Sequence, residues 1–322
     1  AVALREAVER GKSVALIAPD ATLARRVTAV LERWNIIPDD SGGTPLSLSA
    51  VGRFMRHVAS LVGKPVSPVD LIALLKHPLT MREADRGPFQ LATQAFEMFL
   101  RRKGITEVTA TVLTPFAKDQ SDELQAWAEW LGQLVTEAHQ YSGSSLADAV
   151  QRHLSLAKAF AGDDRSLWSG SDGEAVQGVI TKFQNESDFA GTVTFPEYSR
   201  LFDKALAAES DRAQKGVRHD VMIWGSLEAR VQGADVIVLG GLNEGVWPEQ
   251  PSPDPWLNRQ MRRDIGLLLP ERQIGLAAHD YQQAVGAAEV ILSRARRSDD
   301  SETVPSRWLN RLLNLLDGLP GD

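Results

Sequence analysis

The chain contains no cysteine among its 322 residues. Disulfide bonds, cysteine-ligated zinc, iron–sulfur clusters and thiol nucleophiles are therefore excluded within this chain. The sequence also lacks an apolar run near the ~20 residues that span a bilayer, and it opens without a signal peptide. The net charge of −7 argues against a surface that is basic throughout, although a single groove could still carry positive charge.

Recognisable catalytic motifs are absent as well. The six histidines show no spacing typical of a metal site, and we interpret each as structural. The Gly-Lys-Ser at positions 11–13 matches only the end of a phosphate-binding loop and precedes a strand instead of a helix. Carboxylate pairs such as Asp299 and Asp300 lie in a polar loop, where solvation explains them. The sequence predicts no catalytic residue and no metal ligand.

The overall composition, 43% hydrophobic and 24% charged, is that of an ordinary globular protein. The length suggests about two domains, each large enough to bury a core. The opening helical pattern, AVALREAVERGK, lacks an initiator methionine, and the chain closes just after another helical pattern, SRWLNRLLNLL, whose helix is predicted to start at Pro305 or Ser306. We expect it to be an internal piece of a longer protein.

Hydrophobic patterning predicts an α/β fold. A short buried strand is predicted from Val14 to Ala18, with Asp20 capping the helix that follows. Further strands are predicted after residue 218, in HDVMIWGSL, ADVIVLGG and EVILSRA. Strands that alternate with helices indicate a parallel sheet covered on both faces, and we expect the first strand to join the later ones.

The middle of the chain has a different pattern. From about Leu46 to Leu206 apolar residues recur at i, i+3 and i+4, as in helices, and Phe96, Trp127 and Trp130 fit such stripes. The preceding PDDSGGTP is predicted to be a turn-rich loop. We therefore predict one sheet domain, residues 1–60 with 216–322, interrupted by a helical insertion, residues 61–215.

The run VIVLGGLNEGVWPE, which begins at Val236, ends an apolar strand on two glycines. Glycine permits positive φ or a close backbone approach, and ligands of open α/β sheets bind beyond the carboxyl ends of strands. We expect Gly240 and Gly241 to make room for a passing backbone, with Asn243 and Trp247 facing it. The alternative is structural: Trp247 packs inside and Asn243 caps a turn.

These segments resemble superfamily-one DNA helicases of the UvrD type. GGLNEGVWP after an apolar strand resembles the end of motif V, SVALIAPDATLARRVTAVLERWNI resembles motif IV, and AAHDYQQAVGAAEVILSRAR resembles motif VI. IWGSLEARVQGADVIVLGGLNEGVWP and DDSETVPSRWLNRL are similar to the RecC and AddB group, above all to alphaproteobacterial AddB subunits of AddAB helicase–nucleases. The resemblance implies a RecA-like second helicase domain that carries a helical insertion.

Three departures from the helicase motifs concern nucleotide chemistry. Pro19 stands where motif IV carries an arginine, Val285 where motif VI carries one, and Arg-Val-Gln-Gly at 230–233 replaces the usual motif V run. An arginine that stabilises the transferring phosphate is worth several orders of magnitude in rate. The resemblance thus implies an inactivated domain, with ATP, Mg²⁺ and an iron–sulfur cluster left to the complete complex.

By the same resemblance, the domain would receive one unwound strand and scan it for the recombination hotspot Chi during double-strand break repair in the cytoplasm. Its partners would be single-stranded DNA and an AddA-type helicase–nuclease subunit. Phosphate contacts would hold the strand and side-chain contacts would read bases. The candidate DNA-binding residues lie at strand ends and on a short helix: Ser226, Arg230, Asn243, Trp247, Arg259, Arg262, Arg263, Arg294, Arg296 and Arg297.

Other interpretations stay open. The arginines lie near acidic residues such as Asp264, Glu271 and Glu302, and such clusters commonly pair on a surface. The chain could also be an ATP-hydrolysing helicase domain that is active only with a missing N-terminal domain, or a purely structural scaffold for the partner subunit. Binding to short single strands that weakens with salt distinguishes DNA binding from a scaffold role.

Overall fold

The computed structural model describes residues 1–81, 86–143, 145–163, 167–211, 216–225, 228–230, 233–251, 254–298 and 301–319. The chain divides into two compact units. The first, here called the sheet unit, comprises Ala1–Gly43 and Gln214–Asp322, and the second, the helical unit, comprises Thr44–Ala213.

The strands of the described residues are, in chain order, β1 Val14–Ile17, β2 Pro38–Asp40, β3 Thr44–Pro45, β4 Ser210–Asp211, β5 Arg218–Trp224, β6 Val236–Leu239, β7 Val290–Leu292, β8 Arg297–Ser298 and β9 Ser301–Glu302. The helices are α1 Val2–Glu9, α2 Ala21–Glu32, α3 Ala50–Ala59, α4 Pro68–Leu75, α5 Arg86–Lys103, α6 Ala110–Ala117, α7 Asp122–His139, α8 Leu146–Ala161, α9 Ser171–Asn185, α10 Phe195–Ala208, α11 Arg259–Asp264, α12 Glu271–Val285 and α13 Arg307–Asp317.

The sheet unit contains a five-stranded parallel sheet in the order β2-β5-β1-β6-β7. Val14 of β1 lies opposite Val221 of β5 and Val236 of β6, so the prediction that the first strand joins the later ones is confirmed. The central strands β1 and β6 consist entirely of small and branched apolar residues and are buried on both faces. Such runs are typical of parallel sheets, which helices cover on each side.

Alternate residues of the strands enter two different cores. On one face, Leu16 and Val238 pack with Leu4 of α1 and Leu31 of α2. On the other face, Ile17 and Leu239 are among the residues that pack with α12 and α13. The α/β architecture with a parallel sheet therefore follows the sequence-based prediction.

Two helices start where the sequence predicts them. Asp20 caps α2, since its Oδ1 accepts a hydrogen bond from the backbone N–H of Thr22 at 2.8 Å. Ser306 caps α13, with its Oγ accepting from the N–H of Trp308 at 3.2 Å. The predicted starts of α2 and α13 thus rest on side chains that satisfy free backbone donors of the first turn.

One predicted loop is wrong. Residues Pro38–Asp40, which the sequence assigned to a turn-rich loop, form the edge strand β2. The N–H of Arg218 donates to Ile37 O at 2.8 Å, and the N–H of Ser41 donates to Ile223 O at 3.0 Å. Proline tolerates an edge position because no ladder partner needs its missing N–H. This segment forms a strand because it pairs with β5, which is distant along the chain. The local sequence does not indicate that pairing.

The helical unit packs α3 to α10 around its own core. Phe54, Met55 and Val58 of α3 belong to this core, so residues 44–60, which the sequence analysis placed with the sheet domain, lie in the helical unit. Phe96 and Trp127 are buried, with ring centroids 5.7 Å apart in an edge-on arrangement.

A buried histidine links three elements of the helical core. His153 of α8 contacts the Tyr198 hydroxyl through Nδ1 and the Met55 carbonyl through Nε2, each at 2.8 Å. The carbonyl can only accept, so Nε2 carries the proton and Nδ1 accepts from the hydroxyl. Complete burial lowers the pKa of His153 to about 4 and keeps the ring neutral.

Among the described residues, no helix combines the length and the hydropathy needed to cross a bilayer. The same part of the chain holds no group of three or more histidine, aspartate and glutamate side chains arranged to bind a metal ion.

Candidate nucleic-acid interface

The backbone beyond β6, here called the glycine loop (residues 240–249), continues to pair with its neighbours. The N–H of Leu242 donates to Ser293 O at 2.9 Å, and the N–H of Ser306 donates to Leu242 O at 2.9 Å. The N–H of Glu244 donates to Val304 O at 3.0 Å. The glycine loop therefore joins the carboxyl end of β7 to the start of α13.

Asn243 is the main side-chain link in this layer. Its Nδ2 donates to Ala295 O and to Thr303 Oγ1, both at 2.8 Å, and its Oδ1 accepts from the N–H of Ala295 at 3.0 Å. The side chain is 8% exposed. We expected Asn243 to face a ligand. In the structure its side chain instead binds groups of the protein itself.

Trp247 is a core residue. Its indole is 1% exposed, lies edge-on to Tyr281 and Trp308, and donates its Nε1–H to Gly240 O at 3.0 Å. Ser306 Oγ also donates to the carbonyl of Trp247. The expectation that Trp247 faces a passing strand is corrected, because no ring face remains open for stacking on a base.

The two glycines serve packing and backbone geometry. A Cβ at position 240 would lie 2.9 Å from Leu23 Cδ2 and 3.0 Å from Leu16 Cδ1, so the missing side chain lets α2 approach the sheet. Gly241 has φ of +72°, a conformation that L-residues with side chains rarely adopt. The expected positive φ is found, while the space at Gly240 is filled by leucine side chains and not by a ligand.

Glu244 and Arg307 form a further clamp between the glycine loop and α13. Arg307 Nε lies 3.0 Å from Glu244 Oε1, and the N–H of Arg307 donates to Oε2 at 3.2 Å. Hydrogen bonding by the Arg307 guanidinium lowers the pKa of Glu244, against the opposing effect of partial burial. An acidic side chain at the first turn also complements the helix dipole of α13.

The segment after β7, here called the arginine segment (residues 294–297), presents three exposed cations: Arg294, Arg296 and Arg297. Arg294 Nη1 donates only to the neighbouring Ala295 O, at 3.2 Å. Within the described ranges, no carboxylate lies within salt-bridge distance of any of the three. The backbone at Ala295 is held by Asn243, so flexible guanidinium groups project from a fixed base.

Arg230 serves the fold. Its Nε and Nη2 form a bidentate pair with Asp280 of α12 at 2.6 and 3.0 Å. The Asp280 side chain is 2% exposed, so the guanidinium is the partner of a buried carboxylate. Gln283 Nε2 also donates to Arg230 O at 3.3 Å, which ties the turn Glu228–Arg230 to α12.

The arginines of α11 differ in their surroundings. Arg262 pairs with Asp254 at 2.6 Å and donates to Leu268 O at 3.1 Å, and Arg259 pairs with Glu271 at 2.5 Å. Arg263 has only Gln260 Oε1, at 3.4 Å. The pairing on the surface that the sequence left open is therefore found for Arg259 and Arg262. Ser226 lies outside the described residues.

The positions that the sequence analysis compared with nucleotide-binding motifs, among them Lys12, Ser13 and Val285, make contacts within the fold. Lys12 and Arg10 both bind Glu289, which precedes β7, and Ser13 Oγ donates to Asp235 Oδ2 at 2.7 Å, just before β6. These pairs sit at the amino ends of the strands, on the opposite edge of the sheet from the glycine loop. Val285, at the end of α12, packs against the apolar core of the sheet unit.

Sequence reasoning missed the partners that fix these side chains. Asp280, Thr303 and Arg307 lie in segments that resemble helicase motifs, but nothing in those motifs marks them as partners, and each is distant in sequence from the residue it binds. The only local signal was the alternation of an amide and a carboxylate in Asn-Glu after the glycines, which does not specify what they bind. Contacts of this kind depend on the parallel sheet, which brings separate strand ends to one edge.

The sequence was compared with protein-family models and with curated proteins. No protein-family model matches the chain. The chain is similar to an uncharacterized protein of Rickettsia felis, with 20% identity over 316 residues. The alignment covers 97% of this chain and 34% of that protein, so the chain spans about a third of the length of the curated relative that it matches.

Proposed function

We propose that this chain is an inactivated, RecA-like helicase domain of a helicase–nuclease subunit of the AddB type, which holds single-stranded DNA during recombinational repair of double-strand breaks. The strand order β2-β5-β1-β6-β7 and the discontinuous sheet unit support the RecA-like assignment with a helical insertion. The observation that carries the proposal is the arginine segment, whose three cations follow a strand at the carboxyl edge of the sheet and have no carboxylate partner in the described structure.

The proposed mode of binding is electrostatic. Arg294, Arg296 and Arg297 would contact successive phosphates, and Arg263 is a further cation on α11 with no carboxylate partner among the described residues. Arginine suits this role because its planar guanidinium donates to two phosphate oxygens at once. Trp247 is buried and supplies no stacking surface, so we propose phosphate contact and not base reading for this part of the chain.

The proposed domain does not turn over ATP. Pro19 and Val285 stand where the related motifs place arginines, and Val285 packs in the core. A valine cannot supply the charge that stabilises a transferring phosphate. ATP, Mg²⁺ and an iron–sulfur cluster would then serve other parts of a complete cytoplasmic complex.

We further propose that the sheet unit docks an AddA-type partner subunit. Exposed apolar side chains are concentrated on α13 and on the segment around α11: Leu313, Leu315, Leu316, Leu319, Trp256, Ile265 and Leu268. Leu313, Leu315 and Leu316 lie on α13 and Leu319 follows its end, and all four side chains are exposed in the described structure. Concentrated apolar surface of this kind favours a protein interface.

The test of DNA binding is a titration of fluorescein-labelled oligothymidine followed by anisotropy at several salt concentrations. The variant Arg294→Gln, Arg296→Gln, Arg297→Gln should weaken binding and lower the salt slope by about 2, at ~0.7 per phosphate contact. The matched control is Arg25→Gln, Arg26→Gln, Arg33→Gln, which removes the same charge from exposed positions of the same unit. Equal losses in both variants, or no binding by the unmodified protein, would contradict the proposal.

A further inference from the structure

A separate basic cleft lies in the helical unit, far along the chain from the arginine segment. It has a volume of about 540 Å³ and is formed by the end of α3, the connection to α4 and the first turns of α10. Its walls carry the four basic side chains Arg53, Arg56, Lys64 and Arg200, and its floor includes the apolar side chains of Val62 and Phe195.

The charge of the cleft is opposite to that of the whole chain. Two carboxylates, Asp70 and Asp203, accompany the four basic side chains, which leaves a local charge of +2 in a chain of net charge −7. Concave surfaces concentrate the field of the charges that line them. A small anion would therefore be attracted to this cleft although the protein as a whole repels it.

Of the four cations, Arg56 alone has a salt-bridge partner among the described residues. Arg56 Nε binds Asp203 Oδ1 at 2.8 Å, and its Nη1 lies 3.4 Å from Ser47 O. In the part of the chain that the structure describes, no carboxylate lies within salt-bridge distance of Arg53, Lys64 or Arg200. Arg53, Lys64 and Arg200 thus line one concavity without a salt-bridge partner among the described residues.

Helix stability explains part of the cluster but not these three residues. Arg56 and His57 lie in the last turn of α3, where positive charge complements the helix dipole. Arg53 stands earlier in α3, Lys64 lies beyond its end, and Arg200 belongs to α10. Three elements contribute one charge each, so no single helix terminus accounts for their convergence.

His57 also lines the cleft. Partial burial lowers its pKa, Asp70 raises it, and the Arg56 and Arg53 cations lower it. The cleft also offers hydroxyl groups, since Ser60 and Ser199 line it.

We propose that this cleft is a phosphate-binding site, with Arg53, Lys64 and Arg200 as its ligands and Arg56 as a fixed wall. Guanidinium and ammonium groups are the usual protein partners of phosphate oxygens, and bonds to charged groups are the stronger ones. The phosphate comes either from a polynucleotide backbone or from a free phosphate ion. The site lies in the helical unit and does not depend on the function proposed for the sheet unit.

The test uses two probes on the full chain, inorganic phosphate followed by calorimetry and labelled oligothymidine followed by anisotropy. Both are measured in the Arg294→Gln, Arg296→Gln, Arg297→Gln background, so that the arginine segment does not contribute. The site variant is Arg53→Gln, Arg200→Gln. The control is Arg102→Gln, Lys103→Gln, which removes equal charge from exposed positions at the end of α5.

The site variant should weaken binding by at least about tenfold, while the control changes it little. Loss of phosphate binding identifies a free ion as the ligand, and loss of oligothymidine binding alone identifies a polynucleotide. Thermal unfolding checks that the variants fold, and Lys64→Gln offers a single substitution with the same expected direction. In NMR spectra the imidazole signals of His57 should shift with whichever probe binds, and those of exposed His219 should not.

Two results would overturn the phosphate site. One is an equal loss in the site variant and the Arg102 and Lys103 control, which means unspecific attraction to charge. The other is the absence of binding by either probe, with unchanged His57 signals.

Discussion

Asn243 and Ala295 exchange a reciprocal pair of hydrogen bonds across 52 positions of the sequence, at 2.8 and 3.0 Å. The side-chain amide thereby imitates the pairing of one β-strand residue with another. It connects the glycine loop after β6 to the arginine segment after β7. The sequence analysis listed Asn243 as a ligand contact. In the structure it fixes the backbone from which the exposed arginines extend.

Replacing Asn243 should destabilise the sheet unit. Asn243→Ala removes the partly buried pair of hydrogen bonds to the backbone of Ala295 and the one to Thr303, and we expect the free energy of unfolding to fall by about 1–3 kcal/mol in urea titrations. Asn243→Asp should cost at least as much, because a carboxylate oxygen would replace the donor that faces Ala295 O. Asn310→Ala, on an exposed face of α13, is the control. Equal stability of the Ala variant and the unmodified protein would contradict a stabilising role for the Asn243–Ala295 hydrogen bonds.

Trp247 and Trp256 offer a matched pair of tryptophans. Trp247→Ala empties a core site and should reduce the free energy of unfolding by roughly 3–5 kcal/mol. Trp256 is 85% exposed, and Trp256→Ala should change stability by less than about 0.5 kcal/mol. Chemical denaturation followed by far-UV circular dichroism measures both. A larger effect at Trp256 than at Trp247 would show that the burial is wrongly assigned.

Removing Arg230 should lower thermal stability. Arg230→Gln leaves the Asp280 carboxylate buried without a cation, and the melting temperature should fall by several degrees. Arg263→Gln removes an exposed charge of the same sign and should leave the melting temperature nearly unchanged. The double variant Arg230→Gln, Asp280→Asn should recover part of the loss. Failure of the second substitution to rescue stability would argue against a specific pair.

Stability should decline in mild acid because two histidines are buried as neutral rings. Desolvation lowers the pKa of both His153 and His77 to about 4, from an ordinary value near 6.5. Between those values the unfolded chain binds more protons than the folded protein, so acid favours unfolding. The contribution is complete above about pH 6.5 and is lost as the pH falls toward 4.

Urea titrations from pH 7 to 5 measure this effect in a range where ordinary carboxylates stay ionised. The free energy of unfolding should fall steadily with pH, and the imidazole signals of His153 should show no protonation above about pH 5. A constant free energy of unfolding across this range would contradict the prediction.

The sequence was informative where side chains repeat along the chain. The all-apolar runs that begin at Val14 and Val236 predicted buried parallel strands, and Asp20 and Ser306 marked helix starts. Each of these signals is local, because an apolar run and a capping residue can be recognised within a few neighbouring positions of the sequence. The edge strand Pro38–Asp40 escaped prediction because it exists only through its pairing with β5.

For the candidate interface the sequence predicted a site at the glycine loop and the arginines, which stays a prediction, and it did not identify the partners of the side chains. It placed the glycine loop and the arginines at the ends of strands, which follows from the direction of a parallel sheet. It could not tell that Trp247 turns into the core, or that Arg230 and Asn243 bind protein groups 50 or more positions away. It also gave no sign of the basic cleft, because Arg53, Lys64 and Arg200 lie on separate elements.

By itself, the order of residues determined the alternation of strands and helices, the buried strands and the absence of cysteine chemistry. Those properties depend on composition and on the periodic positions of apolar side chains. Only the tertiary structure decided which polar residues bind other groups of the protein and which stay exposed to solvent. A side chain's partner is set by distance in space, and in this sheet the nearest groups come from strands that are far apart along the chain.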